Sequence, residues 1–174
     1  MKRPKEFISE EKINETVDRI ASEINKDYEG KDIRVICILK GSIYFATELT
    51  KRLKSNVTLD FMQVSSYGNG TTPGDLVIKQ DLDRDIKGLD CIVVEDIIDT
   101  GKTMHVLKEE LNKREPNSLK VCAFLDKPSR REVELKADYI GLEIPDEFVV
   151  GFGMDYAEHY RNLPYIGVLH NDNE

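Results

Sequence analysis

Val93-Val94-Glu95-Asp96-Ile97-Ile98-Asp99-Thr100-Gly101-Lys102-Thr103 concentrates the chemistry of this chain: an apolar run meets three carboxylates and then a short loop of small residues. The free N–H groups of a following helix's first turn, the hydroxyls of Thr100 and Thr103, and a Gly101 that permits close approach make a cradle for a phosphate monoester. Adjacent carboxylates such as Glu95 and Asp96 can accept hydrogen bonds from vicinal sugar hydroxyls, or help position a hard divalent cation that already carries ligand oxygens. Asp99 stands three residues further on, where it could handle a proton. The plainer alternative is an acidic loop in which Asp99 or Thr100 caps a helix and the other side chains are solvated. Other candidates lie at similar junctions: Lys40-Gly41 after Ile33–Leu39, and Lys127 between Leu119–Leu125 and Pro128.

These residues need a scaffold, and the pattern of the chain supplies one. Ser9 can cap a helix whose first turn carries Glu10 and Glu11 and whose apolar stripe is Ile13, Val17, Ile20, Ala21 and Ile24. Ile33 to Leu39 reads as a buried strand, followed by a helix containing Phe45, Leu49 and Leu53. Val57 to Val64 and Leu76 to Ile78 read as strands on either side of Tyr67–Gly74, which is rich in Gly, Asn, Thr and Pro and lacks periodicity. Asp90 to Glu95 enters the acidic junction, Thr103 to Lys113 is its helix, and Leu119 to Leu125 is a further central strand. Short segments at Tyr139–Leu142, Val149–Phe152 and Tyr165–Leu169 complete the pattern. Strands alternating with helices predict an α/β fold, a mostly parallel twisted sheet flanked by helices. In such sheets ligands bind outside the carboxyl ends of the strands, where the acidic junction, Lys40 and Lys127 all fall.

The bulk sequence narrows the function. The 174 residues fit one domain, 1–174, with enough core to fold without a metal or disulfide. With 25 basic and 33 acidic residues the net charge is −8, which argues against a surface made to hold nucleic acid or anionic lipid. A positive field would have to be local, from Lys40, Lys102, Lys127 and Arg161 converging inside a cleft. Cys37, Cys91 and Cys122 lie within expected strands and read as buried reduced thiols. With no leader and no apolar run near 18 residues, the expectation is a soluble cytoplasmic protein.

The acidic string resembles the phosphoribosyl-pyrophosphate (PRPP) motif of type I phosphoribosyltransferases, in the form used by hypoxanthine-guanine enzymes. The resemblance runs in order from about residue 33 to 169. Ile38-Leu39-Lys40-Gly41-Ser42 is similar to the family's pyrophosphate loop, although Ser42 stands where a second Gly is frequent, and Ser65-Ser66-Tyr67-Gly68 to the start of its mobile loop. Asp126-Lys127-Pro128 resembles its base-recognition lysine, Ile144–Gly151 its base-stacking segment, and Asp155-Tyr156 with Arg161 its metal and pyrophosphate contacts.

The resemblance implies a phosphoribosyltransferase core with a small hood built from late, and also early, chain segments. It implies conversion of hypoxanthine or guanine and PRPP to the nucleoside monophosphate and pyrophosphate, with Mg²⁺ as cofactor. Asp99 would be the proton-transfer residue. Lys40, Gly41, Glu95, Asp96, Asp99, Thr100, Gly101, Lys102, Thr103 and Arg161 would hold PRPP. Lys127, Phe148, Val149 and Asp155 would hold the base. Ser66 and Tyr67 would belong to a lid spanning about residues 66–76, and Glu95, Asp96 and Asp155 would be near the metal. A cis peptide at Leu39-Lys40 is a further family habit, and a homodimer or homotetramer with no nucleic-acid or membrane partner is its usual assembly. A xanthine-specific enzyme and an RNA-binding regulator of pyrimidine operons share parts of the pattern. The regulator calls for a basic RNA surface, which a net charge of −8 does not favour, and gives no reason for Lys127 and Phe148 together.

Overall fold

A computed structural model describes residues 3–66 and 75–169. Its elements are β1 (Lys5–Ile8), α1 (Glu10–Asp27), β2 (Ile33–Leu39), α2 (Ile43–Thr50), β3 (Val57–Ser66), β4 (Leu76–Gln80), β5 (Asp90–Ile98), α3 (Lys102–Asn112), β6 (Ser118–Asp126), a 3₁₀ turn at Pro128–Arg130, β7 (Tyr139–Glu143), β8 (Val149–Val150) and β9 (Ile166–Val168). The large sheet has the order β4-β3-β2-β5-β6-β7. Its last five strands run parallel, while β4 returns antiparallel to β3. The mostly parallel α/β sheet expected from the pattern is therefore present, with one reversed edge strand.

Burial follows from the side chains. Ile33 to Ile38 on β2, Cys91 to Val94 on β5 and Val121 to Leu125 on β6 are all buried, as strands covered by helices on both faces must be. One core gathers α1, α2 and the near face of the sheet, the other gathers α3 and the far face. Ser9 caps α1 as expected, its hydroxyl accepting from the Lys12 N–H at 3.1 Å, and the predicted stripe from Ile13 to Ile24 is buried. Each such fully buried aliphatic side chain contributes about 1.5–3 kcal/mol. The three cysteines are buried and free, and burial raises each thiol pKa, to about 11 for Cys91.

A second sheet, β1-β9-β8, is antiparallel and joins the start of the chain to its end. It shares the α1 and α2 core: Ile8, Val149 and Val168 pack in the same cluster as Phe45 and Phe124. Phe124 of β6 bridges Phe45 of α2 at 5.0 Å and Phe152, just past β8, at 5.1 Å between ring centroids. This aromatic chain fixes the small sheet over the carboxyl ends of β5 and β6.

Boundaries differ from expectation in an informative place. β5 continues to Ile98, so Glu95 and Asp96 sit within a paired strand rather than beyond it: Glu95 faces Ala123 and Ile97 faces Leu125 across the parallel ladder. β3 reaches Ser66 and β4 reaches Gln80, while β8 and β9 are shorter than read from their apolar runs. Leu53 lies past the end of α2 but still packs on the core. No described helix is long and apolar enough to cross a membrane.

Candidate active site

Two cavities open side by side at the carboxyl ends of the central strands. The first, about 370 Å³, is lined by the Leu39-Lys40-Gly41 turn, by Glu95 to Gly101, by Thr103 and Met104 of α3, and by Asp155 and Arg161. The second, about 210 Å³, is lined by Lys127, Phe148, Val149 and Met154 and shares Asp96, Ile97, Asp99 and Asp155 with the first.

At one end of the larger cavity α3 begins. Its N-cap is Gly101 at φ +83°, a left-handed conformation that side chains resist, and the Thr100 hydroxyl accepts from the Lys102 N–H at 3.4 Å. The N-cap position thus falls to Gly101 rather than to Asp99 or Thr100. Of the first-turn N–H groups, which a helix leaves without intrahelical partners, those of Thr103 and Met104 belong to residues that line the cavity. Thr103 adds a hydroxyl that donates to Ser66 Oγ at 3.3 Å, joining the end of β3 to the start of α3. Lys102 does not join them: its ammonium pairs with Glu132, on the segment that wraps the start of α3. The Lys102 side chain, 21% exposed, is held by Glu132 instead of lining the cavity.

The opposite wall is built by close approach. The peptide between Leu39 and Lys40 is cis. A Cβ on Gly41 would run into the Asp96 carboxylate, and one on Gly153, at φ +99°, into the Gly41 carbonyl oxygen. Only glycines allow the turn after β2 to sit between β5 and the segment after β8. Glu95 and Asp96 each fold one oxygen onto the next residue's N–H, at 3.0 Å to Asp96 and 2.7 Å to Ile97. Desolvation and the adjoining Asp96 charge push the Glu95 carboxyl well above the usual carboxylate range.

Charged side chains cluster beyond this wall. Lys40 donates to Glu158 Oε2 at 2.6 Å, and Arg161 donates to Glu158 Oε1 and Asp155 Oδ1 at 3.0 Å each. Arg161 also reaches the Gly153 carbonyl at 2.7 Å, while its Nε is buried without a partner. The Asp155 carboxylate in turn accepts from the Glu158 N–H at 2.7 Å. Lys40 beside it, and then Arg161, hold the Glu158 carboxyl below its ordinary range.

Around the smaller cavity the pairing is similar. Lys127 is buried, its N–H bonding the Ile98 carbonyl at 2.9 Å in continuation of the β5–β6 ladder, so it is no solvated surface lysine. Its ammonium lies 3.9 Å from Asp99 and 3.5 Å from Asp146. Arg130 donates to Asp99 Oδ1 at 3.1 Å, and Arg131 reaches the Asp99 carbonyl at 2.7 Å and the Asp126 carboxylate. Phe148, 53% exposed, stands edge-to-face with Tyr156 at 5.8 Å, offering a flat apolar surface to whatever enters. Val149 is buried beside it.

The fold thus brings the chosen residues together with two exceptions, Lys102, and Tyr67, whose loop Tyr67–Gly74 lies outside the described residues. Ser66 is at the site's edge. Sequence reasoning missed Glu158, Arg130 and Arg131. The basic pair after Pro128 was a visible signal, but nothing in the spacing of Glu158 marks it as the partner of a lysine 118 residues earlier.

Among the described residues no three metal-ligating side chains already form a cage. Glu95, Asp96 and Asp155 nevertheless supply three carboxylates to one cavity. An oxygen-only donor set of that kind suits a hard cation that arrives with oxygens of its ligand.

Residues 6–157 match the family model described as phosphoribosyl transferase domain. The chain is 49% identical over 166 residues to a hypoxanthine-guanine phosphoribosyltransferase of Streptococcus pneumoniae, covering 95% of this chain and 92% of that protein. It is 47% identical over 166 residues to a bifunctional protein TilS/HprT of Listeria monocytogenes, of whose length it spans 26%. A crystal structure of a hypoxanthine-guanine phosphoribosyltransferase from Bacillus anthracis, with a HEPES molecule in the active site, superposes with a TM-score of 0.93 at 49% identity, covering 97% of this chain and 100% of that one.

Proposed function

This chain belongs to the phosphoribosyl transferase domain family, and we infer that it is a purine-salvage enzyme converting hypoxanthine or guanine and PRPP to the nucleoside monophosphate and pyrophosphate. The observation that carries this reading is the pair of adjoining cavities: a phosphate cradle with acids on one side, a buried lysine with an exposed aromatic on the other, and Asp96, Asp99 and Asp155 shared between them. A sugar phosphate in the first would present its C1 to a planar base in the second.

In this reading the ribose 5-phosphate sits on the α3 amino terminus with Thr100, Gly101 and Thr103, and Glu95 and Asp96 accept from the ribose hydroxyls. Lys40, Gly41 and Arg161 receive pyrophosphate. The bond from C1 to the pyrophosphate oxygen breaks, a bond from C1 to a ring nitrogen of the base forms, and the base gives up one proton. Asp99, facing both cavities, accepts it. The carboxylates stabilise positive charge developing on the ribose ring, the more so once the assigned lid excludes water. Lys127 has three donors and no acceptor, so it bonds the carbonyl oxygen at C6 of a 6-oxopurine and opposes the amino group of adenine donor to donor. Phe148 stacks on the base, a contact worth about 0.5–1.5 kcal/mol in aromatic pairs beyond the area buried.

Magnesium is the cofactor we assign, held near Glu95, Asp96 and Asp155, where it supplies charge neutralisation on the pyrophosphate oxygens. The lid is assigned to the segment following Ser66. A symmetric homo-oligomer, the commonest assembly of soluble chains, is the proposed state, and the cytoplasm the proposed location, in keeping with three buried free thiols.

The test is turnover of hypoxanthine, guanine, xanthine and adenine with PRPP and Mg²⁺. Hypoxanthine or guanine should be the best substrate and adenine the poorest. Adenine as best substrate would sink the role of Lys127, and xanthine alone would move the specificity to the C2 side of the base.

A further inference from the structure

Lys40 and Arg161, the two cations assigned to pyrophosphate, are both already engaged, and by the same side chain. Glu158 gives one carboxylate oxygen to each, at 2.6 Å to Lys40 and 3.0 Å to Arg161. Two oxygens on one centre, each facing a different cation, reproduce what a phosphoryl group would offer the same pair. The segment that aims Glu158 is itself unusual. Ala157 at φ +50°, Glu158 at +67° and Tyr160 at +75° are all left-handed without being glycine, a region such residues populate sparsely. The turn is held by Asp155, which accepts the Glu158 N–H at 2.7 Å and pairs with Arg161, and by the Tyr156–His159 bridge.

We propose that Glu158 is a resident counter-anion that competes with pyrophosphate for Lys40 and Arg161, occupying both in the empty cleft, yielding them when PRPP binds and reclaiming them as pyrophosphate leaves. The proposal rests on the reading of this cleft as the PRPP site and adds to it a residue that sets how tightly the leaving group is held. Physical weighing supports exchange over permanent structure. The Lys40 and Glu158 side chains are 53% and 63% exposed, and an ion pair so wetted is weak and screened by salt; Arg161, 20% exposed, keeps Asp155 and the Gly153 carbonyl when Glu158 lets go. A multiply charged pyrophosphate displaces them readily, yet the carboxylate, tethered by its turn, is at hand to recapture the cations. Two unpaired cations would be a local trap for any polyanion even on a chain of net charge −8. Glu158 lowers that trap.

Glu158→Gln separates this role from a structural one by the sign of its effect. Inorganic pyrophosphate, titrated calorimetrically at fixed Mg²⁺, should bind the variant about three- to tenfold more tightly than the wild type, as expected on removing two weak ion pairs. Its inhibition constant against PRPP should fall in proportion, and the affinity should depend more steeply on salt. A merely structural residue would weaken binding when lost, so unchanged or weaker pyrophosphate binding overturns the proposal. Glu158→Ser and a cycle with Lys40→Ala give an independent reading: Lys40→Ala should cost more pyrophosphate affinity in the Glu158→Gln background than in the wild type, and equal costs overturn the proposal too. A wild-type chain that neither binds nor releases pyrophosphate would remove the PRPP reading and this proposal together, whereas a wild type that does both, with variants that match it, removes only the proposal.

Discussion

The two ends of the larger cavity offer an anion donors of opposite kinds. At the α3 end the donors are backbone N–H groups and hydroxyls, the N-cap is an unsubstituted Gly101, and the one nearby ammonium, Lys102, is turned away to Glu132. At the β2 end the donors are the charged heads of Lys40 and Arg161, each already paired with an acid. Dipolar donors fixed by a helix do not rearrange, which suits a 5-phosphate that stays attached to the sugar throughout. A paired, wetted cation such as Lys40 exchanges partners, which suits a group that must leave. Around the base cavity cations and acids are again paired, with the buried Lys127 and the exposed Arg130 sharing Asp99 and Asp146.

The largest test of this contrast is Asp99→Ala. Asp99 belongs to the exchangeable, charged set, but the proposed chemistry asks it to move a proton as well as to bind. Turnover should fall by about 100- to 10,000-fold, the range for a lost acid–base group, while ribose 5-phosphate still binds at the α3 end. Steady-state kinetics beside a ribose 5-phosphate titration read the two effects separately. Equal turnover for variant and wild type would strip Asp99 of its role, and loss of ribose 5-phosphate binding would erase the line between the two ends.

Thr103→Val against Lys40→Ala sharpens the line itself. A hydrogen bond to a charged group contributes about 1.5–3 kcal/mol, so losing the Thr103 hydroxyl should weaken PRPP binding by roughly ten- to a hundredfold at 1.36 kcal/mol per decade. Lys40→Ala should cost less, because in the wild type Glu158 already answers part of the Lys40 charge and the pair was wetted from the start, while Arg161 keeps Glu158 as its partner. The salt dependence should split the other way, shallower after Lys40→Ala and unchanged after Thr103→Val. Matching slopes for the two variants would mean that both ends bind by the same physics.

The two ends also differed in how far they could be read from sequence. The α3 cradle is local: strand, acids, Gly101 and helix lie within eleven consecutive residues, and burial of Ile92 to Val94 fixed their direction. The charged end is assembled from residues about 40, 96 and 153–161, brought together by a sheet crossover and by glycines at 41 and 153 that let backbones touch. Lys40 and Arg161 were found through resemblance, and Glu158 was not found at all, since a paired partner 118 residues away leaves no local pattern. The same physics explains where the Lys102 side chain goes. Its charge suited a phosphate site, but its direction depends on the loop carrying Glu132, which has no signature in the helix. Strand limits failed where pairing overrode composition, as when β5 carried Glu95 and Asp96 on into the ladder.

Lys127→Ala should have a smaller effect than Thr103→Val on PRPP and a larger one on the base. Removing the charged donor to the C6 oxygen should raise the hypoxanthine requirement by about tenfold, the low end of the 1.5–3 kcal/mol of a hydrogen bond to a charged group, and narrow the gap between hypoxanthine and adenine. Competition between the two bases in one assay measures that gap directly. An unaltered ratio would place the discrimination elsewhere in the cavity.

The smallest effect is the one in which binding and stability oppose each other. Glu95 is raised well above the carboxylate value of 4.5, first by desolvation and then by the charge of Asp96. Its folded pKa exceeds its unfolded one, so between those values the native state holds the extra proton. There the unfolded state binds fewer protons, and stability falls as pH rises through the window above about 4.5. Glu95→Gln removes the titration. Above the window the variant should melt higher than the wild type, by about 2–4 °C for each kcal/mol relieved at this chain length, and below it the two should converge. The same substitution should weaken PRPP binding, because an amide accepts from a ribose hydroxyl less strongly than an ionised carboxylate does. Thermal melts across pH with and without PRPP expose both signs: the free variant should be the more stable at neutral pH and should gain less from the ligand. A variant that melts lower at every pH would mean that Glu95 is a structural acid whose partners the fold needs. A variant that melts higher and gains as much from PRPP would mean that the diol is held by Asp96 alone.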